Sequence, residues 1–354
     1  MQLFRRRRQS SASEPGGSAT ERSVWASRLS FLLGAACGLL CAAALTVNQA
    51  YAQAWPSRPI KVVVPFLAGS ATDVTARLIS ERLAEYLGVS FVVENKPGAG
   101  GNIGTDAVAK AEPDGYTLSY TASGPLAINK TLFSKLPYDP EKDFEPISRT
   151  AILANVIVIN PKAIPVKTIQ EFIAYAKQRP GQINYSSIGN GSSQHLAAVQ
   201  FELATGVQMK HVPYRGVPPI IVDLISGEVP VAFQNIPSVL APLTSGQVKA
   251  LALTTKRRSM LLPDIPTLDQ EGLKDFESHA WFALVAPKGT PATIIERLNK
   301  ETVRALADPA LRKRMTEIGA EPSPTSQAEL KTLIGDEVVK WRKVIADAKV
   351  PKID

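Results

Sequence analysis

The sequence predicts an α/β protein of two doubly wound units, and three observations carry that expectation. Residues 60–87 read as a strand, a tight loop and an amphipathic helix. Val62-Val63-Val64, between Lys61 and Pro65, is a short β-branched run suited to a strand covered on both faces. Val74, Leu78, Ile79, Leu83 and Leu87 then recur at helical spacing, so one face of the helix packs back on the strand. The same order of strand, glycine-serine loop and helix returns at residues 183–204, around Gly189-Asn190-Gly191-Ser192-Ser193. Strand and helix alternate along the rest of the chain, which predicts a parallel sheet with crossover helices.

Taken in order, residues 67–73 supply the small side chains and oxygen caps of a sharp turn. The unpaired N–H groups at the start of the following helix lie beyond the strand's carboxyl end and, with the helix dipole behind them, suit an anion such as a carboxylate. Residues 91–94 read as a second strand, 96–101 as a glycine-rich turn, and 102–110 as a short helix capped by Asn102. Pro113-Asp114-Gly115 turns into a third strand, 116–121, which runs out at Ser123-Gly124-Pro125 before a helix from Leu126. Residues 154–160 are an apolar strand closed by Pro161 and Pro165. Beyond it come a helix at 168–179, strands at 183–187 and 207–213, a helix at 217–226, and strands at 229–233 and 249–254. A basic, proline-broken connection, 256–270, leads to a crossing strand at 280–286 and three helices, 291–307, 309–318 and 326–349. The order implies one domain from 53–154 together with 281–354, and a second, inserted domain at 155–280.

The first 52 residues differ from the rest. Arg5 to Arg8, Arg22 and Arg28 precede an apolar run at 31–45, followed by Ala50-Tyr51-Ala52, the order of a cleaved export signal. The run is shorter than the ~20 residues a spanning helix needs. Both cysteines, Cys37 and Cys41, fall within it, so the processed chain has no disulfide or cysteine metal site. Removing the leader's six Lys/Arg and two Asp/Glu from the chain's 40 and 32 leaves a net charge of about +4, which weakens any case for a nucleic acid partner.

VVVPFLAGSATDVTAR, ENKPGAGGNIGTDAVAKAEPDGYTL, NGSSQHLAA, HVPYRG and LLPDIPTLDQEG, in this order over residues 55–349, resemble the Bug family, the tripartite tricarboxylate transporter substrate-binding receptors of the TctC type. The resemblance implies a periplasmic binding protein type II fold, two doubly wound α/β domains with a cleft between them that closes on a small organic acid. It also implies a cofactor-free monomer in the periplasm that delivers its ligand to a membrane permease. Carried onto matching positions, it assigns Phe66, Gly69, Ala71, Thr72 and Asp73 in the first loop, with Ser123 and Gly124 from the same domain. From the second domain it assigns Gly189, Asn190, Ser192 and His195, with Tyr214 and Asn235 at the rim. The family usually has proline at Leu67, glycine at Ser70 and lysine at Arg215.

Each assignment competes with a plainer one. Asp73 is a ligand contact or a first-turn cap, Ser192 and Ser193 bind ligand or cap, and His195 faces the cleft or is buried against backbone. Three scattered histidines make no metal site. Residues 98–104 nearly match a dinucleotide fingerprint, but Ile103 stands where the third glycine belongs and the loop follows the second strand, so a packing turn is favoured. Ser192 and His195 sit on one helix without a G-x-S-x-G elbow, which argues against a serine hydrolase. A sensor that presents its ligand to a signalling kinase is the alternative that keeps the same binding chemistry.

Overall fold

The structure, a computed structural model, describes residues 55–354 with the exception of residue 215. The expected export signal with its two cysteines, and Arg215, lie outside the described residues.

Strands β1 (Ile60–Val64), β2 (Phe91–Asn95) and β3 (Thr117–Ala122) run parallel, with β1 in the middle. Two long strands follow across the sheet. β4 (Phe144–Ile159) and β9 (His279–Pro287) pair antiparallel, and β9 also runs antiparallel to β3. On the far side, β5 (Asn184–Ser187) runs parallel to β6 (Lys210–Pro213) and β7 (Val231–Asn235). With β8 (Lys249–Leu253) and the short β10 (Glu321–Pro322) on the flanks of β4, ten strands form one sheet. The expected parallel sheet is therefore mixed: parallel order holds in each outer set of three, and the strands that carry the chain between the halves run against their neighbours.

β4 joins the two halves of this arrangement. It pairs with β9 as far as Ala154 and with β7 and β8 from Asn155 onward, so the change of partner falls inside one uninterrupted strand. Its first ten residues escape the sequence reading because Pro146, Ser148, Arg149 and Thr150 break the apolar run. Register shifts at Pro146/Ser148 and Arg149/Ala151 accommodate them. The polar side chains find partners across the core, Thr150 Oγ1 with the Tyr120 hydroxyl at 2.8 Å and Ser148 Oγ with Thr325 O at 2.9 Å. A strand shared by both halves as a hydrogen-bonded ladder can twist without breaking backbone bonds. Amide exchange of the ligand-free protein is accordingly expected to leave residues 155–158 protected while residues 189–193 exchange readily; equal exchange rates would mean that the shared strand opens by local unfolding.

The helices that matter here are α1 (Ala71–Leu87), α2 (Asn102–Ala109), α3 (Asn129–Leu132), α4 (Ile169–Lys177), α5 (Ser193–Thr205), α6 (Val217–Ser226), α7 (Ile236–Thr244), α8 (Ala292–Ala307), α9 (Pro309–Glu317) and α10 (Gln327–Asp347). Two expectations are corrected. Gly101, not Asn102, is the N-cap of α2, because the Asn102 side chain is drawn away to Asn129 and Tyr138. The helix expected from Leu126 starts at Gly124, winding through Ile128 as a wide π turn before α3.

The first half of the sheet shares a core with α10, where Leu126, Leu132 and Trp281 meet Leu330, Ile334 and Trp341. Leu196 of α5 belongs to this same core, so α5 reaches across from the second half. The second half has a core on each face, one around Phe172, Phe201 and Phe233 and one around Ile220, Leu224 and Val239. The chain's last residues strap the end of α3. Ile353 N donates to Leu132 O at 2.9 Å and Ser134 N to Ile353 O at 2.8 Å, and Ser134 Oγ donates to Asp354 Oδ1 at 2.7 Å.

Candidate functional site

The loop after β1 and the loop after β5 repeat one backbone design. Gly69 and Gly191 have φ of +79° and +77°, the left-handed region where any side chain is strained. Ser70 and Ser192 follow in extended conformation (φ, ψ of −66°, 158° and −65°, 156°), each accepting the N–H three residues on, from Asp73 and from His195. Ser70 N closes onto Leu67 O and Ser192 N onto Gly189 O, both at 3.2 Å. The residue three beyond each cap then reaches back to the glycine before it. Gly69 N donates to Asp73 Oδ2 at 2.9 Å, and Gly191 N donates to His195 Nδ1 at 3.2 Å. Two helix N-termini are thus locked in the same way, one by an anion and one by a neutral ring.

Asp73 is 2% exposed. Its carboxylate accepts from Gly69 N, from Asn95 Nδ2 at 2.9 Å, and from Arg77 at 3.0 and 3.1 Å. Burial raises its pKa, but the bonds from Arg77, Gly69 and Asn95 outweigh this and hold it below the ordinary carboxylate value. Asn95 Nδ2 also donates to Phe66 O at 3.0 Å. The Asp73 acceptor oxygens are thus occupied from inside the loop.

The second loop rests on two imidazoles. His195 stacks on His211 with centroids 4.2 Å apart, and His211 stacks on Tyr185 at 5.0 Å. His211 Nε2 lies 2.7 Å from Ser187 Oγ, which bonds both the N–H and the C=O of Gly189 at 3.1 Å. Because His195 Nδ1 accepts a backbone N–H, it is unprotonated and Nε2 carries the hydrogen. Burial, with His211 adding to it, pushes the His195 pKa down to about 3, and burial pushes His211 down to about 4. Both folded values lie below the unfolded ~6.5, so between them the unfolded chain binds more protons. The stabilisation is complete above ~6.5 and is lost as pH falls toward 4. Urea melts from pH 7 to pH 4 are expected to show this slope and His211→Asn to flatten it; an unchanged slope in the variant would remove the pair as its cause.

The other expected site residues are placed as follows. Ala71 is exposed and Thr72 buried in the first turn of α1; Ser123 is buried and Gly124 half-buried at the carboxyl end of β3. Phe66 is half-buried, its ring against Gly101. Asn190 is exposed beside half-buried Gly189 and Ser192, and the Ser192 hydroxyl donates to Gly189 O at 2.7 Å. Tyr214 N closes onto Ser187 O, but its hydroxyl turns to Asp223 of α6. Asn235 bonds Asn155 Oδ1 at 2.8 Å and accepts from Gln194 Nε2 at 3.1 Å, tying the first turn of α5 to the residue of β4 where the pairing partner changes.

The two halves meet at Gly191. It is buried, and a Cβ placed there would stand 2.2 Å from Leu132 Cδ2. The sequence reading gave no role to Asn95, although it stands in the ENKPGAGG block, and missed Asn129 and Leu132, which no motif marks. The glycines at 98–104 are explained by packing: a Cβ on Gly101 would meet Pro125 at 2.7 Å, and one on Gly104 would meet Lys96 O at 2.6 Å.

Two sheet halves joined through a shared strand, each with a serine-capped helix start just beyond a strand end, have the architecture of a periplasmic binding protein. The chain belongs to the tripartite tricarboxylate transporter family receptors (TctC), whose family model matches residues 75–350. It is 37% identical over 311 residues to Protein BugT of Bordetella pertussis, spanning 88% of this chain and 95% of that protein. Among solved structures it is similar to an adipate-bound protein of R. palustris, with a TM-score of 0.77 and 36% identity over 84% of this chain and all of that one. It is also similar to MatC from Rhodopseudomonas palustris with bound malate, with a TM-score of 0.72 and 33% identity over 82% of this chain and all of that one.

Proposed function

We propose that this chain is a periplasmic receptor that captures a small organic carboxylate between a first domain (53–154 and 281–354) and a second domain (155–280). It then delivers the ligand to the membrane permease of a tripartite tricarboxylate-type transporter. One observation carries the reading: the matched, capped N-termini of α1 and α5, in loops of the same backbone geometry in the two sheet halves that β4 joins. First-turn N–H groups and the helix dipole attract a carboxylate without a cation, and two such ends suit one ligand gripped from both sides.

In this reading, the N–H groups of Ala71, Thr72 and Ser193 and the hydroxyls of Thr72 and Ser123 contact the ligand, while Ser192, whose hydrogen goes to Gly189 O, caps α5. Gly69, Gly124, Gly189 and Asn190 let backbone approach, and Phe66 and Tyr214 border the opening. Asp73, His195 and Asn235 act by holding these groups in place. Adipate and malate in the two solved neighbours support a carboxylate as the class.

The test is thermal melting of protein refolded to strip carried-over ligand, against mono-, di- and tricarboxylates, amino acids and nucleotides. A rise of several degrees with one carboxylate class, growing with concentration, is the expected result. A shift with a nucleotide alone would overturn it. Capture of a sensor kinase instead of a permease from solubilised membranes would keep the ligand and replace the transport role.

A further inference from the structure

Asn129, at the start of α3, is 2% exposed, and its amide nitrogen is engaged inside the first domain. Nδ2 donates to Gly100 O at 3.2 Å and to Asn102 Oδ1 at 2.6 Å, and the Tyr138 hydroxyl donates to the same Asn102 oxygen at 3.0 Å. A backbone carbonyl only accepts, so the amide cannot turn over, and Oδ1 is held as a pure acceptor on the opposite side. That side is the seam between the domains. Oδ1 lies 3.9 Å from where a Cβ would stand on Gly124 and 3.9 Å from the same point on Gly191. Gly124 follows β3 in the first domain, and Gly191 immediately precedes the N-cap of α5 in the second. Among the described residues no hydrogen bond is donated to this oxygen. An acceptor that a bound ligand shields from water costs free energy unless the ligand brings a donor to it, and a carboxylate has no hydrogen to give.

We propose that Asn129 Oδ1 reads a hydrogen-bond donor on the ligand, a hydroxyl or an ammonium carried close to the carboxylate that sits at the first turn of α5. The preferred class is then hydroxy- or amino-carboxylates over the same acids without the donor. This rests on the carboxylate-receptor reading above and adds a specificity-determining residue to it. A CH2 in place of the donor leaves Oδ1 stranded, and an ether oxygen there sets acceptor against acceptor.

Calorimetric titration of the purified protein with matched acids tests this: malate, aspartate and methoxysuccinate against succinate, and lactate, alanine and methoxyacetate against propionate. The expected result is that the hydroxy or the amino member binds roughly tenfold tighter than the plain acid and that the ether loses this advantage. Whichever of the two gains identifies the donor. In Asn129→Ala the preference should vanish while the plain acid keeps its affinity within about threefold. Equal affinities across each series in the unaltered protein would overturn the proposal, as would a preference that survives in a folded Asn129→Ala variant. If that variant fails to fold, the ether comparison in the unaltered protein decides. Carboxylates that bind without discrimination remove this inference alone, whereas no carboxylate binding at all removes the receptor reading with it.

Discussion

Gly191→Ala is expected to abolish tight ligand binding, by about a hundredfold or more, while each domain stays folded. Two costs fall on the same methyl group. The residue has φ of +77°, where an L side chain is strained by about 1 kcal/mol. The new Cβ also stands 2.2 Å from Leu132 Cδ2, a side chain wholly buried in the first-domain core and strapped from behind by Ile353. Gly69→Ala separates the two, because Gly69 has the same φ, of +79°, and nothing within 4 Å of an added Cβ. It should show the strain alone, a loss of affinity or stability of about 1 kcal/mol. Leu132→Ala combined with Gly191→Ala should recover binding that neither change alone predicts, as expected of residues in contact. Titration of the four proteins decides it. Equal losses in Gly69→Ala and Gly191→Ala would mean that contact across the seam contributes nothing to closure.

Asp73→Ala is expected to destabilise the protein by about 2–3 kcal/mol and to remove ligand binding with it. The substitution removes the acceptor shared by Gly69 N–H, Asn95 and Arg77; Arg77 keeps Asn95 Oδ1 and Asn95 keeps Phe66 O, so the Gly69 N–H is the donor left without its partner. Arg77 is half exposed and rehydrates in part, which keeps the loss below that of a fully buried ion pair. Asp73→Asn should fall between, since an amide oxygen still serves Gly69 but not the guanidinium. The acid limb tells the two loops apart. Asp73 titrates below its ordinary value of 3.8, so its contribution is present above that value and fades as pH falls through the folded pKa. Asp73→Asn should flatten the stability curve only below pH 4, and the histidine variants should flatten it between about 6.5 and 4. Urea midpoints across both ranges check this, and a change in the upper range on replacing Asp73 would contradict the assignment.

The loops were legible in sequence because glycine, serine and the residue three further on have local jobs that do not depend on distant contacts. Gly69-Ser70 with Asp73 and Gly191-Ser192 with His195 announce a left-handed turn, a cap and its reciprocal partner. The mixed sheet was not legible. Residues 144–153 carry a proline and four polar side chains, and pairing with the distant strand β9, with Tyr120 and Thr325 satisfying Thr150, Ser148 and the Arg149 N–H, makes that stretch a strand. α7 was hidden for a related reason, since Pro237 and Pro242 read as breakers although one sits in the first turn. Asn129 gave no signal at all. An asparagine four residues into an apolar run looks like a turn residue, and its partners at Gly100, Asn102 and Gly191 are 27 to 62 positions away along the chain.

The strap at residues 353–354 has a practical side. Leu132, the side chain that Gly191 seats against, hands its carbonyl to Ile353, and Asp354 is tied to Ser134 in the next residues of the chain. A purification handle, fluorophore or surface tether attached at Asp354 would therefore load the backbone that carries Leu132. Handles for biosensor work belong on the exposed C-terminal turn of α4 or in the 256–270 connection, where load reaches neither loop.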